Sequence, residues 1–313
     1  MLNRVLLWLL VICTVLSSQH SVAQQVINAS EVSAQCLSPK WQKRQLMQLK
    51  ANSFQPLKLA QKQQLMMQLL NCLAHPDPEL RDGIAFTAIS QWLRNEQFDR
   101  QVYLSMFEHL LSVLSAQVID EYNVYQSFVA LMLSEVVRVD RLTPYLTEQQ
   151  RQQLVDVISS YYTSIRDYRG FDRQIGWRHG VAHSADVMLQ LALNQAVNQT
   201  LLSQMLTTLK QQVIASNEHF YIYGESKRIA MAVVYILLRD VHSISQWQTW
   251  VNDISSPAPF AQWNEVYQSQ QGLAKLHNTQ QFLYAIYSLI KPSDNKRLQA
   301  LVPTIEQAIK LVR

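Results

Sequence analysis

The chain of 313 residues carries only six glycines, nine prolines and three cysteines, and 16% of it is charged. So little glycine leaves too few turn residues for a β-sandwich, a barrel or a doubly wound sheet. With 48% hydrophobic residues against that charge, disorder is excluded as the main state. A net charge of +4, from 27 basic and 23 acidic residues, is too small and too evenly spread to argue for a nucleic-acid partner. Several chemistry-bearing patterns are also missing. There is no phosphate-cradling loop, dinucleotide fingerprint, Gly-x-Ser-x-Gly elbow or Cys-His nucleophile, so phosphoryl transfer, hydride transfer and serine-type hydrolysis lose their usual support. Ser184, in particular, has no elbow around it.

What is present starts with a targeting segment. Met1 to Ala23 reads as a basic tip at Arg4, an apolar run from Val5 to Leu16 and a polar stretch ending Ser21-Val22-Ala23. A run of about 12 apolar residues falls short of a membrane span, and small residues at −3 and −1 make a signal-peptide cleavage site. Cleavage after Ala23 leaves Gln24 first and sends the chain to the periplasm or outside the cell. Lipidation at Cys13 is the weaker alternative, because the large Ile12 precedes it. The longest later apolar stretch, Ile229 to Leu238, is too short to span, so no membrane span is expected after cleavage. The remaining cysteines, Cys36 and Cys72, read as a disulfide in an oxidising compartment, or else as two buried thiols. With no histidine spaced as a partner they are not a zinc module.

Residues 24–313 read as a single all-α helical-repeat domain of about 12 helices. Ser38-Pro39, Gln55-Pro56, Asp77-Pro78 and Thr143-Pro144 place proline where a first helical turn tolerates it. Apolar residues recur at a helical period, as in Ile84, Ala85, Ala88, Ile89, Trp92 and Leu93. Helix starts are expected near residues 39, 56, 78, 99, 122, 147, 177, 199, 225, 245, 279 and 293, with no hairpin turn between them. Taken in pairs they step like an α-solenoid of antiparallel helical hairpins, while the missing sequence consensus keeps a compact array or an α/α ring open. Ser255-Ser256-Pro257-Ala258-Pro259 reads as a connector, pinned by Trp247, Trp250 and Trp263.

Three of the six glycines lie between residues 170 and 180, in the segment Arg169 to Asp186. From Trp177 onward the pattern reads as helical, which puts His179, His183, Asp186 and Gln190 in one stripe on an otherwise apolar helix. A buried helix must satisfy such a stripe internally, by hydrogen bonds, water, a ligand or an ion. Two histidines at i and i+4 with Asp186 one turn on could hold a divalent metal, though the spacing is not specific and no cofactor is required by it. Gly180 stands where a His-Glu-x-x-His zinc protease carries its general base, which excludes that mechanism. Glu225 and Arg228, at a helix start, could complete a pocket with Trp177 and the stripe, Arg228 pairing with Asp186. The competing reading is a dipole-favoured acid and a surface ion pair. Asp120 and Glu121 could line the same cavity, though Asp120 reads more simply as a helix cap; His219 to Tyr223 could stack on a flat ligand or sugar but read first as core aromatics.

This segment resembles domain-of-unknown-function family 2785, whose signature is Gly-Trp-x-His-x-x-Ala-His-x-x-Asp, matched by Gly176, Trp177, His179, Ala182, His183 and Asp186. Leu80-Arg81-Asp82 with Ala85-Phe86 and Trp92, Ser127-Phe128 with Leu131, and Gly224 to Ala230 match it further, over roughly residues 60 to 290. Ser226 and Lys227 depart from the family's more acidic stretch. The resemblance implies an all-α fold and brings no activity. Two functions follow as expectations: an exported soluble binding or scaffold module with a polar internal pocket, for a protein or small-molecule partner, or a hydrolase or lyase. The enzyme would use His179 or His183 as base, with Asp186 fixing the tautomer, with or without a metal.

Overall fold

A computed structural model describes residues 25–214 and 218–313; the expected signal segment, Met1 to Ala23, lies outside them. Among the described residues there are thirteen α-helices. The first four are α1 (Ala29–Ala34), α2 (Lys43–Ala51), α3 (Leu59–Leu69) and α4 (Thr87–Asn95), the last entered through a wider π-type segment, Glu79–Phe86. Next come α5 (Arg100–Ser115), α6 (Tyr125–Leu142), α7 (Glu148–Ser164), α8 (Gly180–Leu193) and α9 (Gln199–Val213). The series closes with α10 (Glu225–Leu238), α11 (Ile244–Ile254), α12 (Gln270–Ile290) and α13 (Lys296–Leu311). The fold is all-α, as the glycine poverty and the helical period require.

Most helix starts fall within a few residues of the expected positions, and the exceptions have local causes. Of the four prolines read as first-turn residues, only Pro78 abuts its helical segment; Pro39, Pro56 and Pro144 stand in the loops ahead of α2, α3 and α7. For α7 the start is set instead by Thr147, whose side chain accepts from the Gln150 backbone N–H while Gln150 reaches back to Thr147 N, a capping box. Helix α12 begins at 270 rather than near 279, because Ser269 caps the Gly272 N–H at 3.0 Å. Gly272 belongs inside that helix because a Cβ there would come within 2.2 Å of the Val266 carbonyl oxygen.

Packing alternates along the chain. Helix α6 packs on α8, α8 on α10 and α10 on α12, while α5 packs on α7 and α7 on α9. Successive members also touch, α5 with α6, α7 with α8 and α9 with α10. This gives two rows of helices, and it explains why α6 and α8 are buried nearly all round: Phe128, Val129, Met132, Leu133 and Val136 of α6, and Val181, Ala185, Val187, Met188 and Leu191 of α8, are all within the core. One contiguous set of buried side chains runs from Ala29 to Val312.

Two short strand pairings occur, and the second, a hairpin, corrects the expectation that none interrupts the helices. Strands β1 (Val26–Asn28) and β2 (Gln117–Ile119) pair in parallel, and β3 (Phe171–Asp172) pairs antiparallel with β4 (Gly176–Trp177). Cys36 and Cys72 are joined by a disulfide, tying the turn after α1 to the turn after α3. Among the described residues, no helix is long and apolar enough to cross a membrane. The connector at 255–259 is held by Trp263, whose indole N–H donates to the Ser255 carbonyl at 3.0 Å.

Candidate functional site

The segment before α8 is a hairpin rather than a first helical turn. Asp172 Oδ1 accepts the backbone N–H groups of Gln174 and Ile175 at 2.8 and 2.7 Å, and Gly176 at φ +76° completes the reversal, a conformation that residues with a Cβ resist. Gly170 is required for a different reason: a Cβ there would lie 2.1 Å from the Tyr223 ring. Beneath the hairpin sits Arg81, fully buried. Its Nη2 donates to the Ile175 and Trp177 carbonyls at 2.6 and 3.4 Å, its Nη1 to those of His75 and Pro76 at 3.1 and 3.3 Å. The guanidinium lies 4.4 Å over the Phe128 ring and pairs through Nε with Asp82 at 2.7 Å. Burial pushes the Asp82 carboxyl up to about 6, against the pull of Arg81.

Helix α8 therefore begins at Gly180, and His179 stands outside it in the left-handed region, φ 60° and ψ 33°. This corrects the expectation of a helix from Trp177 with His179 on its stripe. His179 still meets His183, ring to ring at 5.6 Å, and stacks on the half-exposed Trp177 at 4.9 Å. Gly180 is not forced by packing: a Cβ there would meet the Tyr161 hydroxyl at an ordinary 3.5 Å.

His183 is buried, edge-on to Phe128 at 5.2 Å, with Nδ1 3.0 Å from the Ser127 carbonyl. A carbonyl only accepts, so Nδ1 carries the proton. Burial, reinforced by the nearby His179, lowers its pKa to about 3, so the ring is neutral at ordinary pH. Glu225, first residue of α10 and buried, accepts the Tyr223 N–H at 2.9 Å through Oε2 and places Oε1 3.5 Å from His179 Nε2. Burial pushes its carboxyl up, but His179 and the backbone N–H groups outweigh this and hold it below the usual range.

Asp186 pairs with Arg228, as expected, but Arg228 is half-exposed, so the contact lies at the rim and not buried in the core as the sequence reading has it. Burial raises the Asp186 carboxyl despite that partner. Gln190 is half-buried one turn beyond Asp186 on α8. The structure thus gathers Trp177, His179, His183 and Glu225, sets Asp186 and Arg228 beside them, and leaves Gln190 apart. Among the described residues, no group of three or more His, Cys, Asp or Glu side chains is placed to hold a metal ion.

A cavity of about 230 Å³ opens on the other side of the α8 start, lined among others by Asp120, Asn123, Tyr161, Asp167, Arg178 and Gly180. His179 and His183 are not in its lining. Arg178, 4% exposed, is the residue that sequence reading passed over. Its Nε donates to the Tyr122 carbonyl at 2.7 Å, and its Nη1 approaches Asp172 no closer than 3.5 Å. The signal that could have found it is its place between Trp177 and His179, where a charge precedes a nearly all-apolar helix. Asp120 caps the start of α6, accepting from the Tyr122, Val124 and Tyr125 N–H groups at 2.9, 2.7 and 2.7 Å. The first turns of α6, α8 and α10 therefore meet at one end, through Tyr122 to Arg178, Ser127 to His183 and His179 to Glu225.

Comparison with known proteins adds one finding. Residues 110–288, more than half of the chain, match the model of the family described as Protein of unknown function (DUF2785). That span holds α6 to α11 and most of α12, while Arg81 and the disulfide lie outside it. No curated protein and no solved structure matches the chain.

Proposed function

The chain belongs to the DUF2785 family, and we propose that it is a binding module which receives a small molecule in the cavity beside the start of α8. One observation carries this reading. The first turn of α8 has no side-chain cap, it is buried, and it borders a cavity into which a buried arginine also projects. Helix N–H groups, and a guanidinium nitrogen such as Arg178 Nη1 that makes no hydrogen bond, are costly to bury without acceptors, and a ligand would supply them. The expected outcome of a thermal-shift screen with amino acids, organic acids, sugars and nucleosides is a saturable rise in melting temperature for at least one compound. Gly180→Val, which fills the cavity from a position where a Cβ is tolerated, should fold and abolish that rise. A screen that stays flat while the protein turns over some substrate would sink the reading.

On this reading residues 24–313 act as one all-α helical-repeat domain, supported by the contiguous core from Ala29 to Val312. It is exported to the periplasm or beyond, and the Cys36–Cys72 disulfide fits an oxidising compartment.

A second reading is a hydrolase or lyase. It is favoured by Glu225, 3.5 Å from His179 Nε2, a carboxylate placed to orient an imidazole base. Here Glu225 takes the orienting role, since Asp186 is engaged with Arg228. His183 is a poor base for this purpose, being enclosed and tied to Ser127. Loss of activity in His179→Ala at an unchanged melting temperature would favour the enzyme.

A further inference from the structure

We infer that the cavity beside α8 takes a small α-amino carboxylate, its carboxylate held by Arg178 and the first turn of α8 and its ammonium end facing Asp120 and Asp167. The inference rests on the binding reading above and names its ligand class.

The argument begins with which lining groups are already engaged. Asp120 serves three backbone N–H groups. Asp167 accepts the Arg169 backbone N–H at 3.1 Å and its guanidinium at 2.5 to 3.1 Å. The Gln126 amide donates to the Val113 and Ala116 carbonyls, and Arg166 Nη1 to those of Thr163 and Ile165. Donors cluster at the α8 start. Arg178 Nη1 is buried without a hydrogen bond, its nearest carboxylate, Asp172, standing off at 3.5 Å; the α8 start has no side-chain cap; the Tyr161 hydroxyl lies beside Gly180. Burial and the neighbouring Asp167 push that hydroxyl's pKa up, so it remains a donor.

A surplus of donors, one a full cation and one the positive end of a helix dipole, selects an oxyanion. The same lining carries two carboxylates. Asp167 is held below the usual range, because the Arg169 contacts outweigh its burial, so it stays charged. The lining sets Asp120 and Asp167 beside Arg166 and Arg178, and a wall of both signs suits a ligand with its own positive end better than a dianion such as phosphate. The cavity, about 230 Å³, has room for a ligand the size of an amino acid.

The test is calorimetric titration of the mature disulfide-bonded protein with the common amino acids, their primary amides, simple amines, sugars and inorganic phosphate. At least one amino acid should bind saturably, its amide about 100-fold more weakly, since the lost charge-assisted bonds are worth about 3 kcal/mol. Phosphate should not bind. Tyr161→Phe should fold and bind about tenfold more weakly, and Gly180→Val should fold and not bind. Arg178→Gln should lose binding, and because Arg178 also bonds Tyr122 its melting temperature is checked alongside. An amide, sugar or phosphate that binds the wild type as well as any amino acid, and is lost in Gly180→Val, overturns the carboxylate assignment while the cavity stands as a binding site. A panel in which nothing binds overturns both.

Discussion

At the scale of single residues, two buried polar side chains dominate the site, and each has a measurable consequence. The His183 ring is neutral because charging it inside the core is opposed by burial and by His179. A histidine whose folded pKa lies below its unfolded value contributes stability that is fully present above about pH 6.5 and is lost as pH falls towards about 3. Between pH 6.5 and 4.5 this amounts to about 2 kcal/mol. Urea midpoints over that range should fall in the wild type. His183→Asn should start lower at pH 7, by about 1 to 3 kcal/mol, and show a shallower slope; an unchanged slope would assign the acid sensitivity elsewhere. Arg81 engages carbonyls of two separate loops, at 75–76 and at 175–177. Arg81→Met should cost about 3 to 5 kcal/mol and open the β3 to β4 hairpin to hydrogen exchange while α12 and α13 stay protected. Of these contacts, the sequence foreshadowed Asp186 with Arg228 and Glu225 beside the His179 stripe, because each lies near a helix start that carries little other charge. It did not foreshadow Arg178 in a cavity wall, because that placement is set by which helices meet and not by a local period.

At the scale of elements, the site depends on where helices begin. Helix α8 starts three residues later than its apolar pattern implies, and a hairpin with two-residue strands takes the place of its first turn. Two-residue strands are too short to show an alternating pattern, so only Asp172 and the glycines betray them. The glycines there do three different jobs, and alanine should separate them. Gly176→Ala meets a positive φ of +76° and places its Cβ 3.0 Å from Pro78, and should cost about 1 to 2 kcal/mol. Gly170→Ala collides with the Tyr223 ring and should cost at least as much, moving Tyr223. Gly180→Ala has room at the first position of α8 and should be neutral or gain up to about 1 kcal/mol. Chemical-denaturant midpoints on the three variants check the order, and a severe loss in Gly180→Ala would mean that close packing, not the start of α8, holds that position.

At the scale of the whole molecule, stability is shared between the contiguous core and a single covalent tie. The Cys36 to Cys72 bridge closes a loop with a sequence separation of 36, which on the chain-entropy argument is worth about 4 kcal/mol. Cys36→Ser/Cys72→Ser should lose about that much, read as a fall in urea midpoint, and wild-type protein under reducing conditions should behave alike. The mass of protein recovered from the periplasm should correspond to a chain beginning at Gln24; a mass that retains residues 1–23 would overturn the export reading.

The sequence by itself determined the helical class and most helix boundaries, because glycine content, capping residues and a 3.6-residue apolar period are local quantities that act before any helix meets another. The tertiary structure alone decided the rest. It brought the first turns of α6, α8 and α10 to one end, set Glu225 against His179, and left a cavity beside Arg178 and Gly180. Those placements follow from the alternating packing of α6, α8, α10 and α12, where non-local burial overrides local pattern: a helix start shifts, or a loop folds into a hairpin, when that satisfies more buried polar groups.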